Sequence, residues 1–303
     1  MTTVLFKALA FLIMIALGFF FKARGILKPD DSQTLMKIII NITLPMAMIA
    51  GFQSFSLDLS LAFAIALGFG FNVLLIAAGW ICSLRKEGRI RALYLLNVPT
   101  YNIGNFVLPF IQGFFPGSAV LCLSMFDAGN NPIGAGIAYS IASSACGGSN
   151  RLSLRDILRK LFHSPPFLAY FCMMVLYIPG IRLPDAFFDL CGMIGQANCF
   201  LAMFTLGLIF ELHLPQGDAG TVLRILLLRY GLCALCAAAV FFLTPFDLII
   251  RQTLVLCLLG PMTTLSVAYG LSLGCRHTLI AALSSLSMLF SFILSMGLLI
   301  FWA

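Results

Sequence analysis

Apolar runs of about twenty residues recur along the whole chain, and they constrain its fold more than any other feature. A helix needs about 20 such residues to cross the hydrocarbon core, whereas a transmembrane β-strand alternates apolar and polar residues over about ten positions. The chain has 61% hydrophobic and 10% charged residues, whereas a soluble domain has roughly 25% charged residues. We therefore predict an all-α polytopic membrane protein.

Run lengths and polar interruptions divide the chain into ten candidate spans. These cover residues 3–22, 34–54, 59–83, 91–114, 117–142, 165–182, 186–210, 221–244, 250–273 and 278–302. The first run, from Val4 to Phe21, is too long for the apolar core of a cleavable signal peptide, so we expect it to be a retained span.

The distribution of basic residues between loops indicates the orientation of the spans. Lys and Arg cluster after odd-numbered spans, for example between positions 85 and 91, whereas the loops after the second and fourth spans contain none. Because cytoplasmic loops retain positive charge, we predict an inner-membrane protein with both termini on the non-cytoplasmic side. The same loops account for the net charge of +7, which therefore does not indicate nucleic-acid binding.

The cysteines and histidines do not form a recognisable metal or redox motif. The ten cysteines are scattered, mostly inside apolar runs, and the three histidines lie far apart. Cys233 and Cys236 form a C-x-x-C sequence inside a span without a second pair, which favours a packing role. We expect no disulfide framework, no metal site and no cofactor.

A polar stretch over residues 147–164 divides the ten candidate spans into five and five. An odd number of spans gives the two halves opposite topologies, which is the layout of an inverted repeat. We predict a first five-helix repeat over 1–146, a cytoplasmic linker over 147–164 and a second repeat over 165–303. Within the linker, the segment from Ser153 to Lys160 is typical of a short amphipathic helix on the inner membrane surface.

Spans 4 and 9 are interrupted by proline, threonine and glycine or asparagine at corresponding places in the two halves. Proline removes a helix hydrogen bond, and in lipid the freed backbone groups must find partners or line a cavity. Interrupted helices in equivalent positions therefore indicate a transport site, although simple kinks in packed helices remain the alternative. The second half of a broken helix begins with free N–H groups and a positive dipole end, which suit a carboxylate.

The candidate substrate-binding residues are polar or helix-breaking residues of the interrupted spans and of spans 2 and 5. They are Asn41, Pro45, Pro99, Thr100, Asn102, Gly104, Asn105, Asn130, Pro261, Thr263 and Thr264.

Asp127 lies inside span 5, where an aspartate costs about 2.5–3.5 kcal/mol on insertion scales. Such a residue either has a functional role, in which it binds a cation or proton near Asn131 or bonds to an adjacent broken helix, or it is a structural buried carboxyl paired with an asparagine or the backbone. Both interpretations stay open, and coupling to Na⁺ or H⁺ is compatible with the first. Arg229, deep in span 8, is expected to pair with an acid or with a phospholipid head group.

Several short motifs are spread over most of the chain. They are Gly18 to Leu27, Leu44-Pro45, Asn102 with Gly104 and Pro109, Pro165 to Ala169, Ile181 to Pro184, Leu206-Gly207, Pro261 to Thr263, Tyr269-Gly270 and Ala281-Ala282. In their order and spacing these motifs resemble the auxin efflux carrier family of plant and bacterial permeases. One position departs from the family pattern, because Val107 stands where the family usually has glycine.

The resemblance implies ten spans in an inverted five-plus-five repeat, with broken helices crossing at Pro99, Asn102 and Pro261. It also implies a scaffold domain and a transport domain, each built from both repeats, that move against each other. The sequence leaves the oligomeric state open, although related folds often form homodimers through the scaffold domain. Members of the family carry carboxylates such as auxins, malate or malonate.

We therefore expect a secondary active or facilitative transporter of a small organic anion that works by alternating access, as in an elevator. A channel and a cation-coupled transporter of a non-carboxylate solute are the alternatives. We do not expect an enzyme, because Asp127 has no histidine at a similar depth to form a catalytic pair.

Overall fold

The computed structural model describes residues 2–54, 59–148, 153–210 and 218–302, and all regular structure that it assigns there is helical. The all-α prediction is therefore confirmed. The α-helices before residue 149 are α1 (Thr2–Ala23), α2 (Asp31–Ile38), α3 (Leu44–Gly51), α4 (Leu59–Ser83), α5 (Gly88–Asn97), α6 (Leu108–Phe114), α7 (Gly117–Pro132) and α8 (Ala138–Ala145). Those after it are α9 (Leu154–Phe162), α10 (Pro165–Tyr177), α11 (Asp185–Ile209), α12 (Ala219–Leu243), α13 (Leu248–Leu258), α14 (Leu265–Ser272) and α15 (His277–Phe301).

Wider helical turns connect several of these helices into longer units. Turns of π-helix over Ile39–Thr43 and Ile133–Ile137 join α2 to α3 and α7 to α8, and a third over Ile103–Val107 leads into α6. A 3₁₀ turn, Phe52–Ser54, follows α3. The turns before α3 and α6 keep the chain helical where Pro45 and Pro109 interrupt the regular hydrogen bonding, whereas Gly136, with a φ of 174°, kinks the chain between α7 and α8.

In the described part of the chain, six helices are long and apolar enough to cross a membrane, judged by length and composition, and three shorter apolar helices accompany them. The six are Leu5–Ala23, Asp31–Gly51, Ala62–Ser83, Asp185–Ile209, Ala219–Leu243 and His277–Phe301, and the shorter ones are Ile103–Phe114, Pro165–Tyr177 and Leu248–Leu258. The chain is therefore a polytopic helical membrane protein, while its division into ten spans stays a prediction.

Two of the predicted spans are each divided by a segment without helical structure. The first break comprises residues 98–102, between α5 and the π turn before α6, and the second break comprises residues 259–264, between α13 and α14. Other predicted ends differ by a few residues. Span 6 is predicted to extend to residue 182, whereas α10 ends at Tyr177, because Pro179 has no N–H to continue the helix and Gly180 has a positive φ of 83°.

A pair of glycines brings α4 and α7 into backbone contact beside the first break. A Cβ atom added at Gly68 of α4 would collide with the carbonyl oxygen of Phe126, and one added at Gly129 of α7 would collide with that of Ile65. Small residues permit this approach, and in a bilayer close packing is a main source of helix association. The pair therefore makes α4 and α7 one tightly packed unit.

Helix α9 lies in the predicted linker, of which residues 149–152 are outside the described part of the chain. It begins with a capping box, in which the side chains of Ser153 and Asp156 each bond to the other residue's backbone N–H. Hydrogen bonds from the Ser153 side chain and backbone hold the pKa of Asp156 below its usual range. On this helix, Lys160 reaches the Ala135 carbonyl at 3.3 Å and the Tyr269 hydroxyl at 3.4 Å.

Candidate functional site

Two asparagine side chains replace the helix hydrogen bonds that the first break loses. The backbone N–H of Thr100 donates to Oδ1 of Asn72 at 2.5 Å. Asn130 brackets Tyr101, since its Oδ1 accepts from the Tyr101 N–H at 3.1 Å and its Nδ2 donates to the Tyr101 carbonyl at 3.0 Å. A buried backbone without helical partners requires such substitutes, so α4 and α7 stabilise the unwound segment.

Hydroxyl groups of α15 perform the corresponding role at the second break. The Met262 N–H donates to Oγ of Ser287 at 2.9 Å, and the Ser291 hydroxyl donates to the Leu259 carbonyl at 2.6 Å. The Tyr230 hydroxyl of α12 lies 2.9 Å from the Ser287 oxygen and 2.8 Å from that of Ser291. These three hydroxyls form one partly buried network around the second break.

The two breaks touch each other directly. The Asn102 N–H of the first break donates to the Pro261 carbonyl of the second break at 2.9 Å. Close by, a Cβ atom added at Gly260 would lie 2.8 Å from Cγ2 of Val107. Val107, which departs from the family pattern, is therefore accommodated by Gly260 on the opposite segment, and the two segments stay in close approach.

Arg229 of α12 is fully buried and binds the carbonyl ends of both interrupted helices. Its Nη1 lies 2.6 Å from the Val98 carbonyl and 3.1 Å from that of Pro99, and its Nη2 lies 2.9 Å from the Gly260 carbonyl. The guanidinium also lies 4.9 Å from the centre of the Tyr101 ring. The expectation of an acid or a head group as its partner is wrong, because unpaired carbonyls at helix C-termini supply the negative partial charge instead.

A cavity of about 170 Å³ lies where the breaks meet. Nine of the predicted site residues line it: Thr100, Asn102, Gly104, Asn105, Asp127, Asn130, Asn131, Thr263 and Thr264. Both second half-helices begin at its wall, one at Ile103 and the other at Leu265, so two positive helix ends face the same volume.

Four predicted residues do not line this cavity. Pro99 and Pro261 lie within the breaks and contribute carbonyls to the contacts with Arg229 and Asn102. Pro45 is buried in α3, and Asn41 is exposed, with its amide donating to the Lys37 carbonyl at 2.7 Å. From this helical unit, Ile40 and Leu44 line the cavity instead, because they lie on the face turned towards it.

Several polar atoms at the cavity are buried without a partner among the described residues. They are Nδ2 of Asn102, Oδ1 of Asn105 and Oγ1 of Thr100. Leaving such an atom unpaired costs about 1–3 kcal/mol, so a solute that bonds to them gains correspondingly. The Asn102 amide is a donor and therefore suits an anionic oxygen.

Asp127 places a carboxylate at the same cavity. It is 8% exposed, and its two oxygens accept from Nδ2 of Asn130 at 3.0 Å and Nδ2 of Asn131 at 3.1 Å. Because Asn130 also brackets the first break, the acid and the unwound backbone share one hydrogen-bond network. In the part of the chain that the structure describes, no group of three His, Cys, Asp or Glu side chains is placed to hold a metal ion.

The sequence interpretation missed Asn72, Tyr230, Ser287 and Ser291. The sequence does contain a signal for Asn72, because it is an isolated amide in the apolar span 3. Such a polar side chain is more stable facing protein than facing lipid. Ser287 and Ser291 are four positions apart and therefore share a helix face.

The sequence model of one protein family, described as "Membrane transport protein", matches residues 3–154, about half of the chain. The match covers the first break together with Asp127 and Asn130. No curated protein matches the chain.

Proposed function

The chain belongs to the membrane transport protein family, which includes the auxin efflux carriers, and we propose that it carries a small organic anion across the inner membrane. Membership confirms the resemblance seen in the sequence and makes the chain a transporter. The anion is inferred from one observation, which is the cavity where two positive helix ends meet the unpartnered amide of Asn102.

The size of the cavity favours a solute with few carbon atoms. Its volume of about 170 Å³ lies below the roughly 300–1,000 Å³ of sites for drug-sized ligands. A short dicarboxylate such as malate or malonate therefore fits our proposal better than an aromatic auxin-like acid.

The walls of the cavity support an alternating-access mechanism. One wall consists of Ile40, Leu44 and Pro166, from the α2–α3 unit and α10, and the other consists of both breaks and α7. We propose that the ten spans form the inverted repeat and that the first wall belongs to the scaffold. The second wall, on the transport domain, then moves the bound anion from one side of the membrane to the other.

The carboxylate of Asp127 opposes an anion in the same cavity unless its charge is neutralised. We propose that a proton or Na⁺ binds at Asp127 and Asn131 when the anion is loaded, which couples the two fluxes. The same carboxylate supports the second candidate, a cation-coupled carrier of a non-carboxylate solute.

Uptake into proteoliposomes tests the proposal, with labelled malate, malonate and indole acetate under separate Na⁺, pH and voltage gradients. We expect saturable uptake of a short dicarboxylate, since a channel would not saturate in this way. Asn102→Ala is expected to lower uptake by about tenfold to a hundredfold, because a hydrogen bond to a charged group contributes about 1.5–3 kcal/mol.

Pro261→Ala is expected to abolish uptake, because it removes the residue that interrupts span 9. Asn41→Ala is the matched control, since Asn41 is exposed outside the cavity, and it should transport normally. Normal uptake by both Asn102→Ala and Pro261→Ala, in protein shown to insert and fold, would exclude the crossing of the breaks as the transport site.

A further inference from the structure

A second and larger cavity, the α12–α15 cavity, lies away from the proposed transport site. Its volume is about 470 Å³, and it is lined by apolar side chains of α12, α13 and α15 such as Ala238, Phe241, Val255 and Leu298. Ala238 is exposed, so the cavity opens on the outer surface of the helices. At membrane depth that surface faces lipid, where no water is available to fill an apolar cavity.

A basic residue stands beside this cavity. Arg251 lies one helical turn before Val255 on α13, donates to the Phe241 carbonyl at 3.0 Å and lies 5.6 Å from the centre of that ring. Its Nε has no hydrogen-bond partner, and no carboxylate among the described residues forms an ion pair with it. Trp302 stacks on Phe241 at 6.0 Å, an aromatic placement typical of the membrane interface.

We propose that the α12–α15 cavity binds one phospholipid, with an acyl chain along Ala238 and Leu298 and the head-group phosphate on Arg251. The apolar lining suits the acyl chain, and the guanidinium, which bonds to the Phe241 carbonyl but to no carboxylate among the described residues, suits the phosphate, for which arginine provides a planar array of donors. The position near the ends of α12 and α15 and the start of α13 suits a head group at the membrane interface.

The bound chain also contacts the groups that stabilise the second break. Tyr230 and Leu259 both line the cavity, at its end away from Arg251. The Tyr230 hydroxyl belongs to the network with Ser287 and Ser291, and Ser291 donates to the Leu259 carbonyl. Filling the cavity therefore restrains the side chains that hold the second break in place.

Native mass spectrometry of delipidated protein tests the lipid site independently of any transported solute. The protein is titrated with phosphatidylglycerol and, separately, with dodecane as a probe that has a chain but no phosphate. We expect one phosphatidylglycerol to bind. Arg251→Gln should weaken that binding about fivefold, in line with roughly 1 kcal/mol per basic residue near a membrane surface, and should leave dodecane binding unchanged.

Two matched pairs of variants separate this site from general lipid adhesion. Ala238→Trp fills the cavity from an exposed position, whereas Leu235→Trp enlarges an exposed residue of the same helix that does not line it. Arg182→Gln removes an exposed arginine elsewhere and is the control for Arg251→Gln. Equal phosphatidylglycerol binding by the Ala238→Trp and Leu235→Trp proteins would overturn the site, and unchanged binding by Arg251→Gln would overturn the phosphate contact.

Hydrogen exchange measures the contact with the second break. We expect added phosphatidylglycerol to slow exchange of the Met262 amide, which is bonded to Ser287, in the wild type but not in Ala238→Trp. If phosphatidylglycerol leaves the exchange rate of the Met262 amide unchanged in the wild type, lipid bound in the cavity does not restrain the second break.

Discussion

In the first break two asparagine amides hold the unwound backbone, whereas in the second break serine hydroxyls hold it. An amide offers a donor and an acceptor in a fixed plane, so Asn130 can bracket both backbone groups of Tyr101. A hydroxyl rotates and can be shared, as Tyr230 shares contacts with Ser287 and Ser291. The amide hydrogen bonds of the first break therefore specify one backbone geometry, whereas the hydroxyl hydrogen bonds of the second break allow the backbone to shift.

The packing also differs between the two breaks, since it is dense behind the first break and leaves a cavity beside the second. Behind the first break, Gly68 and Gly129 bring α4 and α7 into backbone contact. Beside the second break, α12 and α15 enclose an apolar cavity of about 470 Å³. Dense packing transmits strain and resists change, whereas a cavity lets side chains shift. We infer that the first break is the rigid half of the site and the second break is the adaptable half.

Removing Arg229 should have the largest effect, because it is bonded to both breaks. Arg229→Met leaves several buried carbonyls without a donor, and we expect a loss of about 4 kcal/mol in the free energy of unfolding. Denaturation in detergent measures it. Arg224→Met, an exposed arginine of the same helix, should change stability little. Equal effects of the two variants would mean that the breaks are not joined through Arg229.

Asn130→Ala should destabilise the first break by about 3 kcal/mol, because both backbone groups of Tyr101 lose their partner in a buried site. Asn131→Ala is the matched control, since Asn131 bonds to Asp127 and not to the backbone of the break, and about 1 kcal/mol is expected. Thermal unfolding of the two variants measures the difference. A larger loss for Asn131→Ala would place the main support of the first break elsewhere.

Ser287→Ala should cost the second break only about 1 kcal/mol, since the Met262 N–H loses one neutral hydrogen bond while the Tyr230 hydroxyl loses Ser287 but keeps Ser291. Ser284 is a buried serine of the same helix that forms no hydrogen bond with the second break among the described residues, so Ser284→Ala should cost less. Chemical denaturation of both proteins tests this. If Ser287→Ala cost as much as Asn130→Ala, the contrast between a rigid and an adaptable break would not hold.

The sequence predicts where the helices break better than it predicts what holds the breaks. Pro99 and Pro261 identify both positions, because proline in a lipid-spanning helix has a local and unavoidable effect. The partners of Arg229 could not be predicted, because they are carbonyls of segments remote in the chain. The position of Asn41 outside the cavity could not be predicted, because the apolar helical unit Asp31–Gly51 gives no clear periodicity to distinguish its faces.

The smallest expected effect concerns backbone strain in the first break. Thr100 has φ of +68°, in the left-handed region, which costs a non-glycine residue about 1–2 kcal/mol. Thr100→Gly removes that cost but adds flexibility to the unfolded chain, so we expect a net gain in stability of at most about 1 kcal/mol.

Thr263→Gly tests the same change in the second break, where no non-glycine residue among those described has positive φ. It should lower stability by about 0.5–1 kcal/mol, because glycine there increases the entropy of the unfolded chain without relieving strain. Unfolding midpoints of the two variants therefore move in opposite directions if strain is confined to the first break. A decrease in both would show that Thr100 adopts its conformation at little cost, and the rigidity of the first break would then rest on its amide hydrogen bonds alone.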